Sequence, residues 1–151
     1  MKKEESKFNM LDWWKKVVLE NYANFKGRAN RSEYWYFVLF NVLLIFVPAF
    51  ALGFLSDLVG AESFSIAAAA MYLIIFLGTF IPGLAVAVRR LHDLDKSGSW
   101  LFFYFVPFIG GIMLLVWLCS EGTIGNNKYG RDPNAPEDIV FDFEQQPLEQ
   151  Q

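Results

Sequence analysis

Residues 34–55, 66–88 and 100–119 contain no charged side chain, and each run is long enough to cross a bilayer as a helix. At about 1.5 Å of rise per residue, some twenty helical residues match a hydrocarbon core of roughly 30 Å. In that solvent the backbone must satisfy its own polar groups, so helices are the expected element. The expected class is an all-α membrane protein, with an amphipathic interfacial N-terminal helix plus three transmembrane helices.

Of 151 residues, 54% are hydrophobic, and the three runs leave no stretch large enough for a separate soluble core. The expected organisation is a flexible N-terminus at 1–9, a membrane domain at 10–133 and an acidic, Gln-rich disordered tail at 134–151. Within the tail, Ile139, Val140, Phe141 and Phe143 are the residues able to dock elsewhere. The basic residues before the first run, its length and the lack of a small-residue cleavage site predict a retained anchor rather than a signal peptide. One His and one Cys give no support for a zinc site and exclude an internal disulfide. Neither metal nor cofactor is expected.

Charge is distributed unevenly around the runs. Residues 1–33 hold eight Lys/Arg against five acids, and residues 89–99 hold Arg89, Arg90 and Lys96 against Asp93 and Asp95. The loop at 56–65 holds Asp57 and Glu62 and no base. Basic residues flanking spans stay cytoplasmic, which predicts a cytoplasmic amino terminus and second loop and an external first loop. Three crossings then place the tail outside. Pro107 and Gly110-Gly111 leave open a re-entrant turn, which would return the tail to the cytoplasm.

Residues 10–22 read as a helix lying in the membrane surface. Met10, Leu11, Trp14, Val17, Val18 and Tyr22 recur at helical spacing, with Asp12, Lys15, Lys16 and Glu20 opposite. Trp13, Trp14, Trp35 and Trp100 are the expected interfacial anchors. Asn30 or Ser32 can cap the first span. Pro48, Pro82 and Pro107 predict kinks, while Ala49/Gly53 and Gly83/Ala87 permit close helix contacts. Asn41 and Thr79 are the polar side chains inside the runs able to bond between helices. No ionisable residue sits at mid-membrane depth, which argues against a self-contained proton-coupled transporter.

Arg28 and Arg31 before the first span, with Arg89 and Arg90 after the second, should share one membrane face. Guanidinium forks match phosphate oxygens, so these residues with His92 and Asp93 are the candidate site for anionic lipid or a partner. The competing reading is topological anchoring and ion pairing with Glu33, Asp93 and Asp95. A catalytic His92 would need an activated nucleophile, and neither Ser97 nor Ser99 is marked as one. The Gly- and Asn-rich loop at 120–133 lacks the order of a phosphate-binding loop, and Tyr129 reads as an interfacial anchor. Acidic balance and absent motifs give no support to nucleic-acid binding.

Four ordered motifs complete the pattern: Phe25-x-Gly27-Arg28-Ala29-x-Arg31-x-Glu33-Tyr34-Trp35; Arg89-Arg90-Leu91-His92-Asp93 with Ser97-Gly98; Pro107 with Gly110; and Gly122-x-x-Gly125-x-Asn127-x-Tyr129-Gly130-x-Asp132-Pro133. In these, residues 10–133 resemble the domain of unknown function 805 family of small bacterial inner-membrane proteins. Asp95 stands where that family often has Gly, and Ser99 where it often has Trp. The resemblance implies a multi-pass protein of the bacterial inner membrane and supplies no activity or catalytic residue. The expectation is a non-enzymatic lipid- or partner-binding module with an Arg-rich cytoplasmic face, in contact with anionic lipids and with a membrane protein or a second copy as further partner. Alternatives are a subunit of a transport or channel assembly and a lipid-headgroup enzyme using His92 and Asp93.

Overall fold

The computed structural model describes residues 7–60 and 63–135. The ends of the chain, including most of the expected flexible N-terminus and acidic tail, lie outside the described residues. Helix α1 (Met10–Lys15) opens on a reciprocal cap in which Asn9 accepts from the Asp12 N–H and Asp12 from the Asn9 N–H. It runs on as one π-helical turn, Lys16–Glu20. Helix α2 (Arg31–Val59) is capped by Asn30, whose side chain accepts from the Glu33 N–H at 2.8 Å. It ends at Gly60, with φ 67°, in the left-handed conformation that suits glycine at a helix terminus. Helix α3 (Ser63–Asp93) extends beyond the charge-free run, so Arg89–Asp93 forms its last turn instead of a loop.

Two helices have the length and apolarity to cross a bilayer, Arg31–Leu58 and Ile66–Asp93. No single helix covers the run at 100–119 expected to make the third crossing. That stretch divides into a 3-10 segment (Gly98–Phe105) and a short helix α4 (Gly110–Cys119), joined by a turn in which Phe108 has φ 65°. Pro107 cannot continue a hydrogen-bonded helix, and a Cβ on Gly110 would lie 1.9 Å from the Phe103 carbonyl oxygen. The two arms therefore fold back on one another. Both outer ends meet the same end of α3, since Gly98 abuts Val88 and the carbonyls of Leu118 and Ser120 accept from Arg90. With 10 residues, α4 is about 15 Å long, half a hydrocarbon core. The stretch is a re-entrant hairpin, and the chain after it emerges beside the start of α2.

The densest packing lies at this end. Val17, Ala29, Phe37 and Val86 form a buried cluster, joined by Trp14, Val18, Tyr34 and Val38. Gly83 admits the Phe37 ring, 3.6 Å from its Cβ position, so the Gly83/Ala87 pair does serve a close helix approach. Asn41 accepts from the Trp14 indole N–H at 3.4 Å, tying α1 to α2. Thr79 instead donates to the Ile75 carbonyl of its own helix. Lys16 pairs with Glu33 in the first turn of α2 and Trp14 reaches Asn41 about 15 Å along it, so α1 lies along the first turns of α2. Trp13 is 4% exposed, held inside the protein and not at its lipid boundary, whereas Leu11 and Leu19 on the same helix are exposed.

Candidate functional site

Two carboxylates organise the polar end of the hairpin, and each bridges two cations. Asp93, on the last turn of α3, accepts through Oδ1 from Arg28 Nε at 2.9 Å and pairs with Arg28 Nη2 at 2.8 Å. Its Oδ2 accepts from Arg90 Nη1, three residues back on the same helix face. Glu33, in the first turn of α2, pairs with Arg89 through Oε1 and with Lys16 through Oε2 at 3.0 Å. The first of these bridges joins the loop before α2 to α3, and the second joins α1, α2 and α3.

The arginines then reach for backbone. Arg28 donates to the carbonyls of Thr123 and Gly125, and Arg90 to those of Leu118 and Ser120. Two guanidiniums thereby hold the exit of the re-entrant hairpin and the loop that follows. Thr123 completes the joint, its N–H and hydroxyl donating to the Asp93 carbonyl at 2.8 and 3.1 Å. Gly122 has to be a glycine here, because a Cβ would lie 2.1 Å from Asp93 Oδ2.

This placement divides the predicted site residues. Arg28, Arg89, Arg90 and Asp93 are buried together and their charges meet inside the protein. Arg31 points outward and pairs with Glu121 at 3.0 Å, with side chains 50% and 84% exposed. Arg89 has Nε and Nη2 buried without a partner among the described residues, so Glu33 is its one acceptor there. His92 turns away from Asp93. Its Nδ1 sits 3.1 Å from the Gly27 carbonyl oxygen, and its ring stacks on Tyr129 at 3.8 Å and 3°. With both Asp93 oxygens on arginines, the two neighbours do not form the proton-transfer pair considered from sequence.

Tyr129, expected at the lipid interface, is thus a ring partner of His92. Asn127 donates to the His92 carbonyl and to Thr123 Oγ1, both at 2.9 Å. Asp95 takes φ 56° in the turn after α3, the left-handed conformation natural to the Gly expected there. Trp35 donates to the Leu118 carbonyl at 3.3 Å, and Trp100 packs edge-on against Trp117 beneath Lys96. Sequence reasoning overlooked Thr123 and the loop carbonyls as part of this assembly, since a backbone acceptor carries no side-chain signature. Among the described residues, no group of three or more His, Cys, Asp or Glu is arranged to hold a metal ion.

Beside the clamp lies a polar cleft of about 360 Å³, between the start of α2, the end of α3 and residues 121–124. Arg31 and Glu121 line it, and Arg90 and Asp93 reach it from within.

The sequence pattern of the family described as "Protein of unknown function (DUF805)" matches residues 22–131, a span that contains the clamp. The chain is 44% identical over 120 residues to "Inner membrane protein YhaI" of Escherichia coli (strain K12), covering 80% of this chain and 94% of that protein. It is 41% identical over 123 residues to "Inner membrane protein YhaH" of the same strain, covering 82% and 97%. "Uncharacterized protein YiiR" is 30% identical over 137 residues, covering 72% of this chain and 85% of that protein. No solved structure matches the chain.

Proposed function

The chain belongs to the DUF805 family of inner-membrane proteins without a known activity, and from its geometry we propose a non-enzymatic membrane module that binds phospholipid headgroups, anionic ones foremost, around its polar end. One observation carries this reading: the cations are divided between interior and surface. Arg28, Arg89 and Arg90 are spent on carboxylates and carbonyls, while Lys15, Lys26, Arg31, Lys128 and Arg131 are exposed around the same end. Near a charged leaflet each such cation contributes about 1 kcal/mol of attraction to anionic lipid. Exposed Leu11, Leu19, Phe25 and Trp100 supply apolar surface beside them. The positive-inside tendency makes this end the cytoplasmic one.

The test is native mass spectrometry of protein released from nanodiscs containing phosphatidylglycerol and phosphatidylethanolamine. Phosphatidylglycerol should remain on the wild-type protein and be lost when Lys15, Lys26, Lys128 and Arg131 are all changed to Gln. Equal retention by both proteins refutes the reading. A second reading, a subunit of a larger membrane assembly, is favoured by the sparse cover of the two long helices, whose most apolar windows are 6% and 22% buried. The same spectra read its stoichiometry directly.

A further inference from the structure

The polar cleft carries both signs of charge, and two of its lining residues are joined only by a weak contact. Arg31 and Glu121, both in its lining, pair at 3.0 Å, and the Asp132 carboxylate in the same lining is held by the Gly125 and Asn134 N–H groups. An ion pair this exposed contributes little and is screened by salt, so a ligand that satisfies both partners can displace it. Behind the pair, Arg90 and Asp93 are fixed on each other and on the chain after α4, giving the cleft a rigid floor. Its position is set by the ends of three apolar segments: α2 begins at Arg31, α3 ends at Asp93 and α4 ends at Cys119. Those ends lie at headgroup level when the helices occupy the bilayer. Ile124, 99% exposed, adds an apolar side chain to an otherwise polar lining.

We propose that this cleft binds a zwitterionic phosphate–ammonium group, with the phosphate on Arg31 and the ammonium on Glu121. The inference rests on the headgroup reading above and adds a ligand class to it. A zwitterion replaces one exposed ion pair with two. A ligand carrying only a phosphate would take Arg31 and strand Glu121; one carrying only an ammonium would strand Arg31. The start of α2 favours the phosphate on the Arg31 side, since the helix dipole is positive there. The same chemistry is offered by the phosphatidylethanolamine headgroup and by free phosphoethanolamine.

The experiment compares wild type, Arg31→Gln and Glu121→Gln in nanodiscs of equal phosphatidylethanolamine and phosphatidylglycerol, reading retained lipid by native mass spectrometry. Wild type should retain phosphatidylethanolamine, and each substitution should lower that retention about threefold, the size of one exposed charge contact. Glu121→Gln should leave phosphatidylglycerol retention unchanged. In detergent, the melting temperature with added phosphatidylethanolamine or soluble phosphoethanolamine separates the sources: protection by both assigns the free zwitterion as sufficient, and protection by the lipid alone assigns the headgroup in its lipid. Absence of protection by either overturns the proposal. So does phosphatidylethanolamine retention that is indifferent to both substitutions, and in that case continued loss of phosphatidylglycerol from the variant with Lys15, Lys26, Lys128 and Arg131 changed to Gln leaves the headgroup reading standing.

Discussion

Asp93→Asn is the most direct test of the clamp, because it removes one charge while keeping the shape of the side chain. In the wild-type protein the carboxylate stands between two guanidiniums, and the paired side chains are 1% exposed at Arg28 and Asp93 and 0% at Arg90. At about 3 Å and an effective dielectric near 20, each contact is worth roughly 5 kcal/mol in gross Coulomb energy, most of it offset by desolvation. The substitution does not simply return that desolvation. It strands two buried cations beside one another, and breaking a buried pair in this way costs about 3–5 kcal/mol. The two contacts share one carboxylate, so their losses do not add. The damage should be local. Arg28 and Arg90 keep their carbonyl acceptors on the chain after α4, but nothing then balances their charges, and residues 118–125 should loosen from α3. Hydrogen exchange in detergent should quicken across residues 118–130, while the distal parts of α2 and α3 stay protected, and the unfolding free energy should fall by the amount above. Stability within about 1 kcal/mol of wild type, with unchanged exchange in that loop, would refute the bridging role, since that is the scatter of an ordinary surface substitution.

Topology gives a second test. With Cys119 changed to Ser, single cysteines placed at Asn24 and Asn126 should label from the same side of sealed membrane vesicles; labelling from opposite sides would restore a third crossing. The glycines at the hairpin turn should behave oppositely. Gly110→Ala puts a methyl into the Phe103 carbonyl and should destabilise by about 1–3 kcal/mol. Gly111→Ala meets nothing within 4 Å and should be neutral or stabilising by up to about 1 kcal/mol through helix propensity. Equal melting temperatures for the two variants would contradict the fold-back. Glu33→Gln leaves Arg89 and Lys16 without their shared carboxylate, so α1 should detach and trypsin should cut faster at Lys15, Lys16 and Lys26. An unchanged digestion rate would show that the apolar packing of α1 and the Trp14–Asn41 bond hold it without the ion pairs.

The two long helices were legible because a charge-free run of this length has few alternatives in a bilayer. Their ends were less so. Arg89–Asp93 reads as a polar loop when hydropathy alone is followed, yet it continues α3, because ion pairs and carbonyl contacts let charged side chains sit on a buried helix face. The third run shows the reverse failure. Its composition is that of a span, and Pro107 and Gly110 mark only that the helix breaks. Which way the chain goes afterwards is decided by Arg28 and Arg90 capturing carbonyls at residues 118, 120, 123 and 125, and Arg28 lies 97 residues from the last of these. No local pattern encodes a contact of that range.

The candidate site shows why grouping residues is easier than assigning their work. Shared membrane depth brought Arg28, Arg31, Arg89, Arg90, His92 and Asp93 to one face, and the structure keeps them at one end. A guanidinium beside lipid phosphate and one buried on a carboxylate look the same in sequence, however. The discriminating signals were the acceptors: Asp93 three residues after Arg90 on one helix, and Glu33 one turn into the helix opposite Arg89. The family motifs then acquire a physical meaning. Gly98 yields to Val88, Gly110 to the Phe103 carbonyl and Gly122 to the Asp93 carboxylate, while Gly27, Arg28, Asn127 and Tyr129 each hold or receive part of the same closure. Residues that carry the resemblance are therefore the ones that lock the hairpin at 98–119 onto the two long helices. Arg31, Glu121 and the cleft they line stand at the edge of that lock, where the proposed zwitterion would exchange without opening it.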